Sequence, residues 1–282
     1  MERTRAVLML AALAAGPGAA AQEPTPEYLR DRGSGIPTSM FGTYIRPGEL
    51  IVYPFYEYYR DHDLEYAPAE HGYGLEQDFR GEFHANEALI FLSYGLGDRF
   101  AVEVEAAVIS ASLDKAPDDP SLMPSRIEES GLGDVEGQLR WRWQKENQHR
   151  PELFGFFEFV VPHAQDQGLI GTPGVEMKLG TGVIRGFRFG TLSASFSVQY
   201  EGASSSHFDI GEYQLEYLKR AGQHLRFYVG LEGTQDELSL ITEVQVHLSR
   251  NVFLKLNNGL GLTSRATDWS PEVGILFTLP TR

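Results

Sequence analysis

Charged side chains recur at every second position of several segments, the spacing at which one face of a β-strand could act on a passing solute. In the segment GDVEGQLRWRWQ, Glu136, Arg140 and Arg142 fall on one face of such a strand. Trp141 and Trp143 fall on the other face. In a water-soluble sandwich the tryptophans would form the core, whereas in an outer-membrane barrel they would face lipid and the arginines would line a polar lumen.

The polar faces of these segments hold more carboxylates than bases. Such charges select ions in a channel, and they can equally pair between neighbouring strands and fill a narrow barrel. Both interpretations stay open for each residue. The side chains that we expect to line a solute path are Arg80, Glu82, Glu103, Glu105, Glu136, Arg140, Arg142, Glu176 and Lys178. Trp141 and Trp143 are expected in a lipid-facing aromatic girdle.

One short stretch, SSSHFD, brings a nucleophile, a base and an acid together. Ser205 and His207 are two residues apart, so on a strand they would share one face, as a hydrolytic dyad requires. The stretch falls in a predicted loop, however, where small polar residues need no chemistry. We expect no enzyme, and an outer-membrane lipid hydrolase is kept as an alternative.

The remaining composition excludes several classes of site. The chain has no cysteine, and its eight histidines show no metal-ligand spacing, so neither a metal nor another cofactor is expected. The net charge of -15 argues against a nucleic-acid partner, because phosphate neutralisation needs clustered Lys and Arg.

The N-terminus has the pattern of an export signal. Arg3 and Arg5 precede a short apolar run, and small alanines end it before Gln22. The run is too short to span a bilayer. The sequence therefore predicts three parts: a cleaved signal peptide (1–21), a flexible leader or plug (22–47) rich in Pro and Gly, and a barrel (48–282).

From residue 49 onward, alternating segments of about ten residues repeat, which is typical of a transmembrane barrel. Pro54 in the first segment suits an edge or seam position. Connections after even-numbered segments are short, whereas the longest, residues 61–76 and 113–131, follow odd-numbered ones and are expected to narrow the outer mouth. The twelve segments are 49–60, 77–95, 100–112, 132–144, 152–162, 174–186, 190–201, 209–219, 223–233, 238–248, 252–263 and 271–280.

Signal peptide, strand number, loop lengths and the absence of cysteine agree with one another, and this consistency decides between the two assignments. We predict an all-β fold, a single antiparallel transmembrane β-barrel of about twelve strands in the outer membrane.

Two stretches resemble a known family. The stretch SGLGDVEGQLRWRW (130–143) and the earlier YGLGDRFAVEVEAAV (94–108) are similar to the outer-membrane family named for a putative MetA pathway of phenol degradation. The resemblance implies a barrel that passes small molecules, aromatic or apolar compounds among them, and implies no established substrate. The C-terminus FTLPTR departs from the terminal aromatic that such barrels often carry.

The sequence thus predicts an outer-membrane channel or transporter through which small molecules diffuse, with outer-membrane lipid around it. The oligomeric state stays open. A structural or adhesive barrel that acts through its loops is the main alternative.

Overall fold

The predicted sheet closes on itself. A computed structural model describes residues 25–202 and 207–281, with only the backbone of residues 207–209. Twelve strands form one closed barrel in which each strand pairs antiparallel with its neighbours, and the last strand pairs with the first. This confirms the all-β fold and the predicted number of strands. The predicted signal peptide lies outside the described residues.

The strand bounds follow the predicted segments closely. Two short strands, β1 (Ile36–Pro37) and β2 (Tyr44–Ile45), pair before the barrel. The barrel strands are β3 Glu49–Tyr66, β4 Phe79–Gly95, β5 Phe100–Asp114, β6 Arg126–Gln144, β7 Glu152–Val161, β8 Glu176–Phe187, β9 Gly190–Glu201, β10 His207–Ala221, β11 Leu225–Gly233, β12 Leu238–His247, β13 Val252–Gly261 and β14 Trp269–Pro280. Two 3₁₀ turns, Glu27–Leu29 and Pro68–His71, are also present.

Across the described residues, no helix combines the length and the apolar character that a membrane crossing requires.

The barrel closes at the strand that contains proline. The paired positions of β14 and β3 include Gly274 with Phe55 and then Phe277 with Val52, so the ladder is interrupted around Pro54. Proline lacks the N–H that a ladder needs. The predicted seam position of Pro54 is therefore where the first and last strands meet.

The alternation of apolar and polar residues assigns the two faces of the sheet. On β5, Val102, Val104 and Val108 are exposed on the outer surface, while Glu103 and Glu105 point inward. The outer surface therefore carries the apolar side chains, which suits contact with lipid rather than water.

Connection length distinguishes the two ends of the barrel. Short turns at residues 96–99, 145–151, 188–189, 222–224 and 248–251 lie at one end, and the long loops 67–78, 115–125 and 162–175 lie at the other. Outer-membrane barrels place short turns on the periplasmic side, so we name the ends periplasmic and outer accordingly. β3 and β6 continue as strands through residues 61–66 and 126–131, which the sequence assigned to loops.

The segment before the barrel folds into the lumen. Ile36 and Ile45 of the β1–β2 hairpin are fully buried and pack against Ile51, Tyr53 and Phe91 of the barrel wall. Residues 25–48 therefore occupy the periplasmic half of the lumen, and we call them the N-terminal segment.

Candidate functional site

The inner wall carries seven of the nine side chains predicted to line a path. Glu103, Glu105, Glu136, Arg140 and Lys178 border internal cavities. Arg142 donates to the Ser34 carbonyl of the N-terminal segment at 3.1 Å, and Glu176 accepts from Gln199 on the neighbouring strand at 3.4 Å. Strand alternation alone brought these groups to one face.

Arg80 and Glu82 were assigned to the wrong face. Both alternate with inward-facing Phe79, Gly81 and Phe83, and their partners lie outside the lumen. Arg80 binds Asp63 and Glu65 at 3.1 and 3.0 Å, and Glu82 binds Arg60 at 3.1 Å. The physical reason is that β4 extends beyond the bilayer, where its outer face meets water and its inner face is buried beneath the outer loops.

Trp141 and Trp143 lie on the outer surface, as the alternation predicts. Trp143 is 53% exposed, and the two ring centroids are 6.2 Å apart. They precede the periplasmic turn 145–151 by only a few residues. This position suits an aromatic girdle at the membrane boundary.

The central cavity of the lumen is strongly acidic. It has a volume of about 560 Å³, and we call it the acidic chamber. Lys255 is the one base among its lining residues. Its carboxylates are Glu57, Glu87, Glu105, Asp134, Glu136, Glu232 and Glu272.

Several of these carboxylates face one another directly across the sheet. Glu57 is the register partner of both Glu272 and Glu87, so three adjacent strands each contribute a glutamate to one row. Glu105 and Glu136 form a second opposed pair. Side chains that are directly opposite lie about 5 Å apart at Cβ, and like charges there repel.

Among the described residues, the chamber carboxylates have no paired cation. None of the seven lies within 4.0 Å of a side-chain nitrogen of a described lysine, arginine or histidine. Lys255 is held elsewhere, by Glu243 at 3.0 Å and by the Phe41 carbonyl at 3.1 Å. Glu272 accepts hydrogen bonds from Tyr53 and Asn257, which leave its charge uncompensated. The chamber is therefore a region of negative potential.

A neighbouring part of the lumen wall is paired instead. Lys178 lies between Glu158, at 3.1 Å, and Glu212. Arg140 approaches Glu103 at 3.4 Å. The two interpretations of the lumen charges therefore apply to different regions: pairing holds for this wall and fails for the acidic chamber.

The N-terminal segment forms the chamber floor and is anchored by buried ion pairs. Met40 and Phe41 border the cavity. Arg32 donates to Glu146 and Glu152, each at 2.9 Å, and its side chain is fully buried. Ser39 donates its backbone N–H and its hydroxyl to Glu103 at 3.0 and 2.7 Å.

The roof of the chamber is loop 162–175, which folds inward. Asp134 accepts from the backbone N–H groups of His163, Ala164 and Thr172 at 2.6 to 3.3 Å. Ala164 and Ile170 pack on the inner wall. Strand alternation does not predict this roof, although the adjacent apolar pair Leu169–Ile170 in a Gly- and Pro-containing loop is a signal for it.

The two loops expected to narrow the mouth pack against each other above this roof. The Tyr66 hydroxyl donates to Asp119 at 3.0 Å and accepts from the Ala116 backbone N–H at 2.9 Å. These contacts join loop 115–125 to the end of β3. Among the described loops, 67–78 and 115–125 pack on each other, and 162–175 packs on the inner wall.

Two further candidate sites are a possible hydrolytic dyad and a group of three aspartates. The dyad of Ser205 and His207 lies outside the described side chains. Asp61, Asp63 and Asp268 bring ligand oxygens within 4.8 Å of one another on the outer side. Arg80 already binds Asp63, and the His62 ring contacts Asp268 at 2.6 Å.

Comparison with known proteins places the fold. No family model matches the sequence, and no curated protein sequence matches it. The COG4313 outer membrane channel from Pseudomonas putida F1 is similar in structure, with a TM-score of 0.63 at 13% identity over 86% of this chain and 99% of that chain. The translocator domain of the autotransporter NalP from Neisseria meningitidis gives 0.51 at 10% identity, over 83% and 89%. The chain therefore has the fold of outer-membrane β-barrel proteins, and neither neighbour is described as an enzyme.

Proposed function

We propose that this protein is an outer-membrane channel through which small molecules diffuse, and that the acidic chamber sets its selectivity. The observation that carries the proposal is a cavity of about 560 Å³ in mid-lumen, lined by seven carboxylates without basic partners among the described residues. Water-exposed carboxylates on a low-dielectric wall attract cations and orient polar solutes.

The two ends of the lumen would control the size of what passes. The N-terminal segment narrows the periplasmic half, and loop 162–175 narrows the outer half. Because both segments narrow the lumen, a small conductance is expected. Both are held by side-chain contacts to the wall rather than by the barrel ladder, so they can shift without opening the sheet.

The solutes that we propose are small, with aromatic or apolar compounds among them. Part of the chamber wall is apolar, since Phe55, Leu89 and Ile109 line it beside the carboxylates. Such a surface could contact a ring while the acidic groups contact its polar substituents. This solute class is also what the resemblance to the MetA-type family implies, and we propose that the chain is a distant member of it.

Single-channel recording of the purified barrel in planar bilayers tests the channel. Discrete steps are expected, with a reversal potential in a salt gradient that shows cation preference. The double variant Glu105→Gln/Glu136→Gln removes one opposed pair and should weaken that preference. Glu82→Gln is the matched control, because its carboxylate lies on the outer surface and should leave the preference unchanged.

A barrel that acts through its loops is the second candidate, and the interlocked outer loops favour it. The same recording separates the two. A folded barrel that gives no steps, even after deletion of residues 25–47, would refute the channel.

A further inference from the structure

A second cavity opens at the periplasmic end, and the charge of its lining is opposite to that of the acidic chamber. It has a volume of about 660 Å³, and turn residues His224 and Arg250 are among those that line it. We call it the basic vestibule. Its cationic lining residues are Arg32, Arg46, Arg220, Arg226, Arg250 and Lys255, and Glu49 is the single carboxylate in the lining.

Half of these cations are already neutralised. Arg32 binds Glu146 and Glu152, Arg46 binds Glu49, and Lys255 binds Glu243. Within the described residues, Arg220, Arg226 and Arg250 have no carboxylate within 4.0 Å. The vestibule therefore has three uncompensated guanidinium groups.

The Asp31 carboxylate of the N-terminal segment does not form an ion pair with any of these three arginines. Its oxygens accept from the backbone N–H of Arg220 at 2.9 Å and approach Lys219 at 3.8 Å. Arg226 reaches only the Asp31 main-chain carbonyl, at 3.5 Å.

Two of the free arginines are forced together by the sheet register. Arg220 on β10 is directly opposite Arg226 on β11, and Arg226 is opposite Gln245 on β12. Arg226 is also held by the ring of Phe253, 5.9 Å from its guanidinium carbon. Two opposed cations repel each other unless an anion lies between them.

Three buried side-chain nitrogens of residues that line this cavity have no hydrogen-bond partner among the described residues. They are Nε of Arg220, Nε of Arg226 and Nε2 of His247, and the two arginine atoms are N–H donors. The His247 ring is fixed edge-on against Phe253, with centroids 4.4 Å apart. A buried donor without an acceptor is unfavourable, and these side chains line one cavity, so an acceptor ligand bound there would satisfy them after a small shift of the side chains.

We propose that the basic vestibule binds an oxyanion, the phosphate or carboxylate group of a small solute, between Arg220, Arg226 and His247. An oxyanion supplies both the missing negative charge and the missing acceptors, and arginine is the side chain best suited to contact it with two parallel hydrogen bonds. The site does not depend on whether the barrel conducts.

Isothermal titration calorimetry and thermal unfolding of the folded barrel, with inorganic phosphate and separately with sodium acetate, test this site. Ionic strength is matched with chloride. The wild type should bind at least one of the two anions and unfold at a higher temperature in its presence. Comparing the two anions shows whether the site prefers a tetrahedral phosphate or a planar carboxylate.

The variants Arg226→Gln and Arg220→Gln should each lower the affinity at least tenfold and abolish the thermal shift. Without an added anion they should be at least as stable as the wild type, because a like-charge contact is removed. Arg265→Gln, which removes the same charge from the outer surface, should keep the wild-type response. An equal response in all four proteins, or none in the wild type, would overturn the proposal.

Discussion

The acidic chamber and the basic vestibule occupy the same lumen, yet they treat charge in opposite ways. In the chamber, carboxylates oppose one another across β14, β3 and β4, and no described cation is paired with them. In the vestibule, two arginines oppose one another across β10 and β11, and no carboxylate of the described residues lies within 4.0 Å of either side chain. Between these regions, the wall around Lys178 is paired.

The difference shows that the net charge of the chain does not predict the electrostatic potential in each part of the lumen. This chain is acidic as a whole, but the charged residues that line its periplasmic cavity are cations, with Glu49 as the single carboxylate. A solute crossing the barrel would meet potentials of opposite sign in sequence. The N-terminal segment separates them, because Met40 and Phe41 border the chamber while Arg32 to Gly35 border the vestibule.

The largest effect is expected from loss of the anchor that keeps the two regions apart. Arg32→Ala removes the cation that bridges the buried carboxylates of Glu146 and Glu152. Glu152 then keeps Arg142 at 3.0 Å and Glu146 keeps Arg185 at 3.5 Å, so the cost is at most that of a broken buried ion pair, about 3–5 kcal/mol. The N-terminal segment should then leave the lumen, so that conductance rises several-fold and limited proteolysis cuts the segment. Arg188→Ala is the control, because the Arg188 side chain, which pairs with Glu27, is 89% exposed. Unchanged conductance and proteolysis would show that other contacts hold the segment.

Ion selectivity should respond with opposite signs in the two regions. Glu57→Gln/Glu87→Gln removes two of the three opposed glutamates and should lower the cation-to-anion permeability ratio by a factor of about two or more. Arg220→Gln/Arg226→Gln should raise that ratio. Reversal potentials in a salt gradient measure both. Shifts of the same sign would mean that the two cavities do not lie on one path.

Packing should distinguish the wall around the buried cluster of Phe154, Phe156 and Ile184 from the open chamber. A Cβ at Gly180 would meet the buried ring of Phe156, whereas one at Gly259, which lines the chamber, would meet the Ser270 hydroxyl at the end of a short side chain. Gly180→Ala should therefore lower the free energy of unfolding by about 1–3 kcal/mol through overpacking. Gly259→Ala should change it by less than about 0.5 kcal/mol. Urea unfolding from lipid vesicles measures both, and equal costs would contradict the distinction.

The smallest effect is expected from a charge outside both regions. A hydrogen bond from Lys145, together with its positive charge, holds the pKa of Asp98 below its ordinary value in the periplasmic turn. This contribution is complete above the ordinary pKa of about 4 and is lost as pH falls through the lowered pKa. Asp98→Asn should lower the unfolding temperature by about 1 °C at pH 7. The difference should disappear once the pH falls below the lowered pKa of Asp98, and a difference that persists there would need another cause.

Much of the wall could be predicted residue by residue. Glu105, Glu136 and Lys178 face the lumen because strand alternation leaves no other choice once Val104, Val135 and Leu179 face lipid. The same rule failed for Arg80 and Glu82. It assumes lipid outside and water inside, and both reverse where β4 rises above the bilayer beneath the loops.

The sequence by itself determined the twelve alternating strands, which connections are short and which are long, and most of the lumen face, because these depend on local spacing and on the period of a strand. Only the tertiary structure decided which charges oppose and which pair, since cross-strand partners depend on register between distant segments. It also decided that residues 25–48 and loop 162–175 enclose the lumen. The N-terminal segment contacts positions more than a hundred residues away, as in the pair of Arg32 with Glu146, and the loop contacts a strand about 30 residues before it, as in the bond from Ala164 to Asp134. No local pattern specifies such contacts.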